Sequence, residues 1–152
     1  MAWPEDYISI ILAVILGAMI GLERELSGKA AGLRTNLLIC LGASVFTIIS
    51  REMATGSEGT VTRIAAQIVT GVGFLGAGAI IQDRRGVHGL TTAATIWLVA
   101  SIGMACGAQF YKLAIVSSLI AILTLIGLGK LSKPLDKHLK KSKPRSAQDE
   151  LD

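Results

Sequence analysis

The chain has 152 residues, 51% of them hydrophobic and only 17% charged, and its mean hydropathy is +0.58; a soluble domain of this size has no core large enough to hide so much apolar surface, which points to a lipid bilayer. A formal net charge of +4 does not mark a nucleic-acid binder, because seven of the 15 Lys and Arg crowd into residues 130–145 and no recognition motif accompanies them. Two cysteines, Cys40 and Cys106, make no disulfide framework and read as reduced packing residues.

Five apolar runs are long enough to cross a bilayer if a span needs roughly 17–25 residues. The first, 3–22, follows the acidic segment MAWPED where a secretory signal would carry positive charge, so it is expected to be a retained helix. The second occupies 34–50 and the third 63–82. The fourth and fifth, 90–108 and 109–128, have almost no loop between them. Gly107, Ala108 and Gln109, with Phe110, Tyr111 and Lys112 beside them, suit a tight turn at an interface with aromatic anchors. In the basic tail, Leu128, Leu131, Leu135 and Leu139 alternate with lysines. That pattern suits a segment lying on anionic lipid or a merely topogenic tail, and Pro134 is expected to interrupt any helix there. The expected fold is all-α and transmembrane, a bundle of five helices with a membrane domain at 1–129 and a basic cytoplasmic tail at 130–152.

Charge orients the bundle. Twelve Lys and Arg lie in the tail and in loops 23–33 and 83–89 or at their edges, against three, Arg51, Arg63 and Lys112, on the opposite side. The rich side is the cytoplasm, which puts the N-terminus outside and the C-terminus inside. Residues 32–46 (GLRTNLLICLGASVF) and 89–103 (GLTTAATIWLVASIG) share seven identities in 15 positions, beginning with a common G-L-x-T. This internal repeat reads as two parallel helical hairpins followed by a fifth helix.

The stretch GVGFLGAG at 71–78 contains a literal G-x-G-x-x-G, but it sits in an apolar run with no strand before it, so it is no dinucleotide loop. The glycines suit close packing in lipid instead: Gly17 and Gly21 in the first span, Gly71, Gly73, Ala77 and Gly78 in the third, Gly103 and Gly107 in the fourth. Packing within the chain and a homodimer are both open to such stripes. The spans carry no ionisable side chain in their interiors, which argues against ion coupling at the midplane. A pathway lined by carbonyls and hydroxyls stays open, for which Asn36, Ser44, Thr70, Thr95 and Ser101 are available.

Polar chemistry gathers at the cytoplasmic ends, in GLERELSGKAAGLRT (21–35) and QDRRGVHGLTT (82–92). Glu23 and Arg24 close the first span; Arg34 and Thr35 open the second; Asp83, Arg84 and Arg85 follow the third; Thr91 and Thr92 open the fourth. Threonines are expected to cap the two helix starts, and Glu23 or Asp83 to sit against their N–H groups. Alternatively those starts, with Arg34, receive an anion or an acidic partner, or they are ordinary solvated helix ends. His88 has no metal-ligand partner at suitable spacing, and Trp97 reads as a packing residue. No nucleophile and base at workable spacing mark an enzyme; no cofactor, metal or nucleic acid is expected.

G-L-E-R-E at 21–25, A-G-L-R-T-N at 31–36, the glycine-rich 71–78, Asp83 and G-L-T-T-A-A-T-x-W at 89–97 together resemble the MgtC/SapB family of bacterial inner-membrane proteins, over about residues 10–108. The resemblance implies a five-helix membrane domain tied to magnesium homeostasis and to survival under low magnesium, acid or macrophage stress. It also implies regulation of membrane partners such as the F-type ATP synthase, or alternatively a small magnesium or ion transporter component. The residues carried over are Glu23, Arg24, Arg34, Thr35, Asp83 and Thr92. Two departures stand out: this chain has Thr91 where the virulence-associated members have Asn, and its 23-residue tail is too short for the soluble C-terminal domain of better-studied members.

Overall fold

The computed structural model describes residues 4–54, 58–84 and 86–141, without the side chains of 58–62 and 130–141. Helix α1 spans Pro4–Leu26, with Pro4 at a first position where its missing N–H costs nothing, Glu5 and Asp6 in the first turn and Arg24 in the last, matching the helix dipole. It ends in a Schellman turn: Gly28 takes a φ of +65°, its N–H donates to Glu25 O, and that of Lys29 donates to Arg24 O. Then follow α2 (Leu33–Met53), α3 (Glu58–Gly78), α4 (Leu90–Gly107) and α5 (Tyr111–Lys141).

Among the described residues four helical stretches are long and apolar enough to cross a membrane: α1, α2, α4 and Tyr111–Gly129 of α5. Helix α3 covers 21 residues, the same length as α2. It stops four residues short of the expected boundary at 82. Beyond Gly78 the chain turns, the N–H groups of Ala79 and Ile80 donating to Gly76 O and Ala77 O, and β1 (Ile81–Asp83) pairs antiparallel with β2 (Gly86–His88), Gln82 facing Val87. The all-α expectation thus misses a small hairpin: hydropathy carried Ile80 and Ile81 into the span, while the helix ends at Gly78 and Ile81 enters a strand closed by a turn with Gly86 at φ +127°. The α4–α5 turn falls where expected. Gln109 adopts φ +65°, its N–H donating to Cys106 O and that of Phe110 to Ala105 O. The interruption expected at Pro134 does not occur, since α5 continues to Lys141 among Leu and Lys, which favour helix.

Helix α2 is the spine. Gly17 and Gly21 of α1 press on it from one side: a Cβ on Gly17 would lie 2.6 Å from Cys40 Cβ, and one on Gly21 2.8 Å from Leu33 Cα. Gly103 and Gly107 of α4 press from the other, where added Cβ atoms would strike Cys40 O and Ser44 O. The order of these contacts makes α1 antiparallel and α4 parallel to α2. Glycine at each crossing brings backbones close enough to pack without a hydrophobic driving force. Ala13, Leu16, Ile20, Cys40, Val99, Ile102, Cys106, Ala114 and Ala121 form the main core.

On α3 the expected packing face is turned outward. Gly71, Gly73 and Gly78 have nothing within 4 Å of an added Cβ and Ala77 is exposed, while Ile68, Val72 and Gly76 face the bundle. Large apolar side chains such as Phe46, Phe74, Trp97 and Leu123 cover the outside, whereas Ser9, Asn36, Ser44, Thr47, Thr92, Thr95 and Ser118 are buried. Trp97 therefore points away from the interior contacts expected of it. Thr47, Thr95 and Ser118 each donate to the carbonyl four residues back, satisfying their hydroxyls without water.

Candidate functional site

The buried stripe of α1, Ala13, Leu16, Gly17, Ile20, Gly21 and Arg24, follows the three-to-four spacing of a helix face, so the turn that packs glycine against α2 also carries Arg24 inward. Its side chain is 4% exposed. Nη1 lies 3.6 Å from Oε2 of the neighbouring Glu23, a charge contact longer than a hydrogen bond. Glu23 Oε1 accepts from Ser27 Oγ at 2.8 Å. Asn36, fully buried on α2, donates through Nδ2 to Ala31 O at 2.7 Å and Gly32 O at 2.9 Å. Four buried atoms at this end, Arg24 Nε and Nη2, Glu23 Oε2 and Asn36 Oδ1, have no hydrogen-bond partner among the described residues.

The two repeated G-L-x-T segments both start helices, but the capping position is glycine, Gly32 for α2 and Gly89 for α4, with no side-chain cap on either. Thr35 and Thr92 lie inside the first turn, so the expected threonine caps do not form. The carboxylate on the α2 start is Glu25, whose Oε2 accepts from Leu33 N at 2.7 Å, in place of the expected Glu23 or Asp83. Asp83 sits on β1 with its Oδ1 3.4 Å from His88 Nε2, so His88 is not isolated as expected. Arg34, Thr35 and Thr91 are exposed, Thr92 is buried, and Arg85 lies outside the described residues. The structure thus draws together Glu23 and Arg24, with Asn36 at the same end, and leaves the other expected members on the surface around them or, for Thr92, on α4.

The opposite end holds a second polar cluster that sequence reasoning missed. Asp6, 2% exposed, pairs with Arg51 Nη2, and Arg51 Nη1 donates to Gly107 O at 3.0 Å. Tyr111 Oη donates to Glu5 O at 3.1 Å and lies 3.0 Å from Ser9 Oγ. Gln109 Nε2 donates to Glu5 Oε2 at 3.1 Å. One guanidinium therefore ties the start of α1, the end of α2 and the α4–α5 turn. The available signal was positional: Asp6 opens the first apolar run and Arg51 closes the second.

The sequence profile of the MgtC family matches residues 10–133. The chain is 46% identical over 127 residues to the putative magnesium transporter YhiD of Escherichia coli K12, covering 80% of this chain and 59% of that protein. It is 46% identical over 115 residues to Protein MgtC of Salmonella typhimurium LT2, covering 76% and 48%. An uncharacterized protein of Synechocystis, slr0014, is 40% identical over 132 residues, covering 87% and 56%. The chain spans about half the length of the curated relatives it matches, and no solved structure matches it.

Proposed function

The chain belongs to the MgtC family and is a multi-pass protein of the bacterial inner membrane; from that premise we propose that it is a non-enzymatic regulator of a membrane partner, serving magnesium homeostasis under low-magnesium or acid stress. In this reading α3 is the fifth span, the two G-L-x-T helix starts face the cytoplasm, and the repeated halves are parallel hairpins. The partner is of the kind the family resemblance implies, such as the F-type ATP synthase. The observation that carries the proposal is the Glu23–Arg24 pair at one end of the bundle, whose buried Oε2, Nε and Nη2 have no hydrogen-bond partner among the described residues. A structural ion pair satisfies its own atoms; one left open at the mouth of a bundle is more consistent with a contact made elsewhere.

Around it Arg34, Thr35, Thr91 and Asp83 offer an exposed polar rim suited to a protein surface. The test is growth of a deletion strain in low magnesium. Glu23→Gln and Arg24→Gln are expected to reach the membrane at normal levels and fail to rescue; full rescue by both would sink the proposal. A second reading, a small magnesium or ion transporter component, draws on the printed name of the Escherichia coli relative and on buried Asn36, Ser44 and Thr95. The two separate cleanly: under the regulator reading Arg34→Ala and Asp83→Ala lose rescue and purified protein in liposomes moves no magnesium. Magnesium flux that persists in those variants and falls in Asn36→Leu favours the transporter.

A further inference from the structure

We propose that Arg24 is the receptor for a phosphate group, bound at the end of the bundle where α1 stops and α2 and α4 begin; this rests on the reading of the Glu23–Arg24 pair as the working part of the protein. The two guanidinium atoms without partners, Nε and Nη2, are the donors along one edge of the fork. Their parallel N–H bonds match two oxygens of a tetrahedral phosphate. Nη1, on the other side, is the atom that faces Glu23, so the carboxylate does not occupy the Nε–Nη2 edge, which is buried and without a partner among the described residues. Burial of the side chain to 4% exposure makes open donors costly, and a charge-assisted bidentate contact offsets that cost better than neutral groups do.

The acceptors narrow the ligand. Glu23 Oε2 and Asn36 Oδ1 are buried without hydrogen-bond partners, and Asn36 commits its Nδ2 to two backbone carbonyls, which fixes the acceptor face it presents. A fully ionised phosphate would be repelled by Glu23. A group offering two oxygens to Arg24 and an O–H or N–H donor to the acceptors satisfies both sets. Dihydrogen phosphate does so, and so does the phosphoethanolamine headgroup of a membrane lipid. The first N–H groups of α4, with no side-chain cap at Gly89, add positive dipole at the same end. A divalent cation fits poorly beside a buried guanidinium.

The experiment uses the full chain, purified once with its native lipid and once stripped of it in detergent. Native mass spectrometry of the first reads retained phospholipid; equilibrium dialysis of the second reads labelled inorganic phosphate. One phosphate group per chain is expected in one arm: retained ethanolamine phospholipid identifies the headgroup as source, saturable inorganic phosphate the free ion. Arg24→Lys, which keeps the charge and loses the fork, is expected to bind roughly tenfold more weakly or worse. Arg63→Ala, an exposed cation elsewhere, is expected to bind as wild type. Should Arg24→Lys fail to fold, Glu23→Gln decides, because it keeps the fork and loses the charged acceptor of the ligand's O–H or N–H, and it is expected to bind more weakly. Binding in neither arm, equal binding by Arg24→Lys when folded, or undiminished binding by Glu23→Gln overturns the proposal and leaves water as the fork's partner. Growth is read separately: rescue by an Arg24→Lys that has lost phosphate removes the regulatory role and keeps the ligand. Failed rescue by that variant, with no phosphate on wild type, does the reverse.

Discussion

Asp6 and Arg51 form a buried ion pair with a sharp energetic consequence. Removing one member of a buried ion pair costs about 3–5 kcal/mol, since the survivor is left charged and unpaired. Arg51 is 29% exposed, so water recovers part of that; Asp6→Asn is expected to cost about 2 kcal/mol. Thermal unfolding in detergent checks it, and the double substitution with Arg51→Gln is expected to cost less than the two single changes summed. This pair was hidden in the sequence because 45 positions separate its members. Only their shared place at the edge of an apolar run hinted at it. The Glu25 contact was hidden for another reason: successive residues on a helix point about 100° apart, so a run such as G-L-E-R-E does not reveal which carboxylate crosses the loop and which flanks the buried arginine. Arg24, by contrast, lies seven residues after Gly17 and three after Gly21, and its inward direction follows from that spacing.

Between elements, the glycine stripes divide into two populations that the same spacing could not separate. Gly17→Ala and Gly103→Ala force a methyl into Cys40 and its backbone, and each is expected to lower stability by about 1–3 kcal/mol through overpacking. Gly73→Ala meets open space on a helix and is expected to raise it by about 0.5–1 kcal/mol, through backbone entropy alone. Melting the three variants side by side is the check. The four crossing glycines of α1 and α4 were legible because they lie on strict four-residue repeats with alanine or apolar neighbours. On α3 the outward Gly71, Gly73 and Gly78 and the inward Ile68, Val72 and Gly76 all belong to one uncharged apolar run, so hydropathy could not tell bilayer from bundle. Likewise the hairpin at Ile81–His88 escaped because isoleucine serves strand and span alike. The glycines that close it mattered more than the apolar count before them.

At the scale of the whole molecule, helical class and membrane setting were readable from composition and run length, whereas sidedness rests on charge counting. Thiols introduced as Lys29→Cys and Arg84→Cys are expected to label from the cytoplasm, and Lys112→Cys from the opposite side. Native Cys40 and Cys106 are buried and contribute little background. Opposite labelling of the two loops would break the parallel arrangement of the repeat. The two ends of the bundle also differ in how they are fastened. A single guanidinium laces three helix termini at one end, while at the other the α1–α2 loop is held by Glu25 on Leu33 N and by Asn36 on Ala31 O and Gly32 O, and α3 joins α4 through a short exposed hairpin. A body clamped more firmly at one rim than at the other is expected to flex like tweezers, with its pivot by Tyr111 and its tips beside Arg24. Amide exchange slower near Tyr111 than near Arg24 is the expected reading of that asymmetry, and equal exchange at the two ends would remove it.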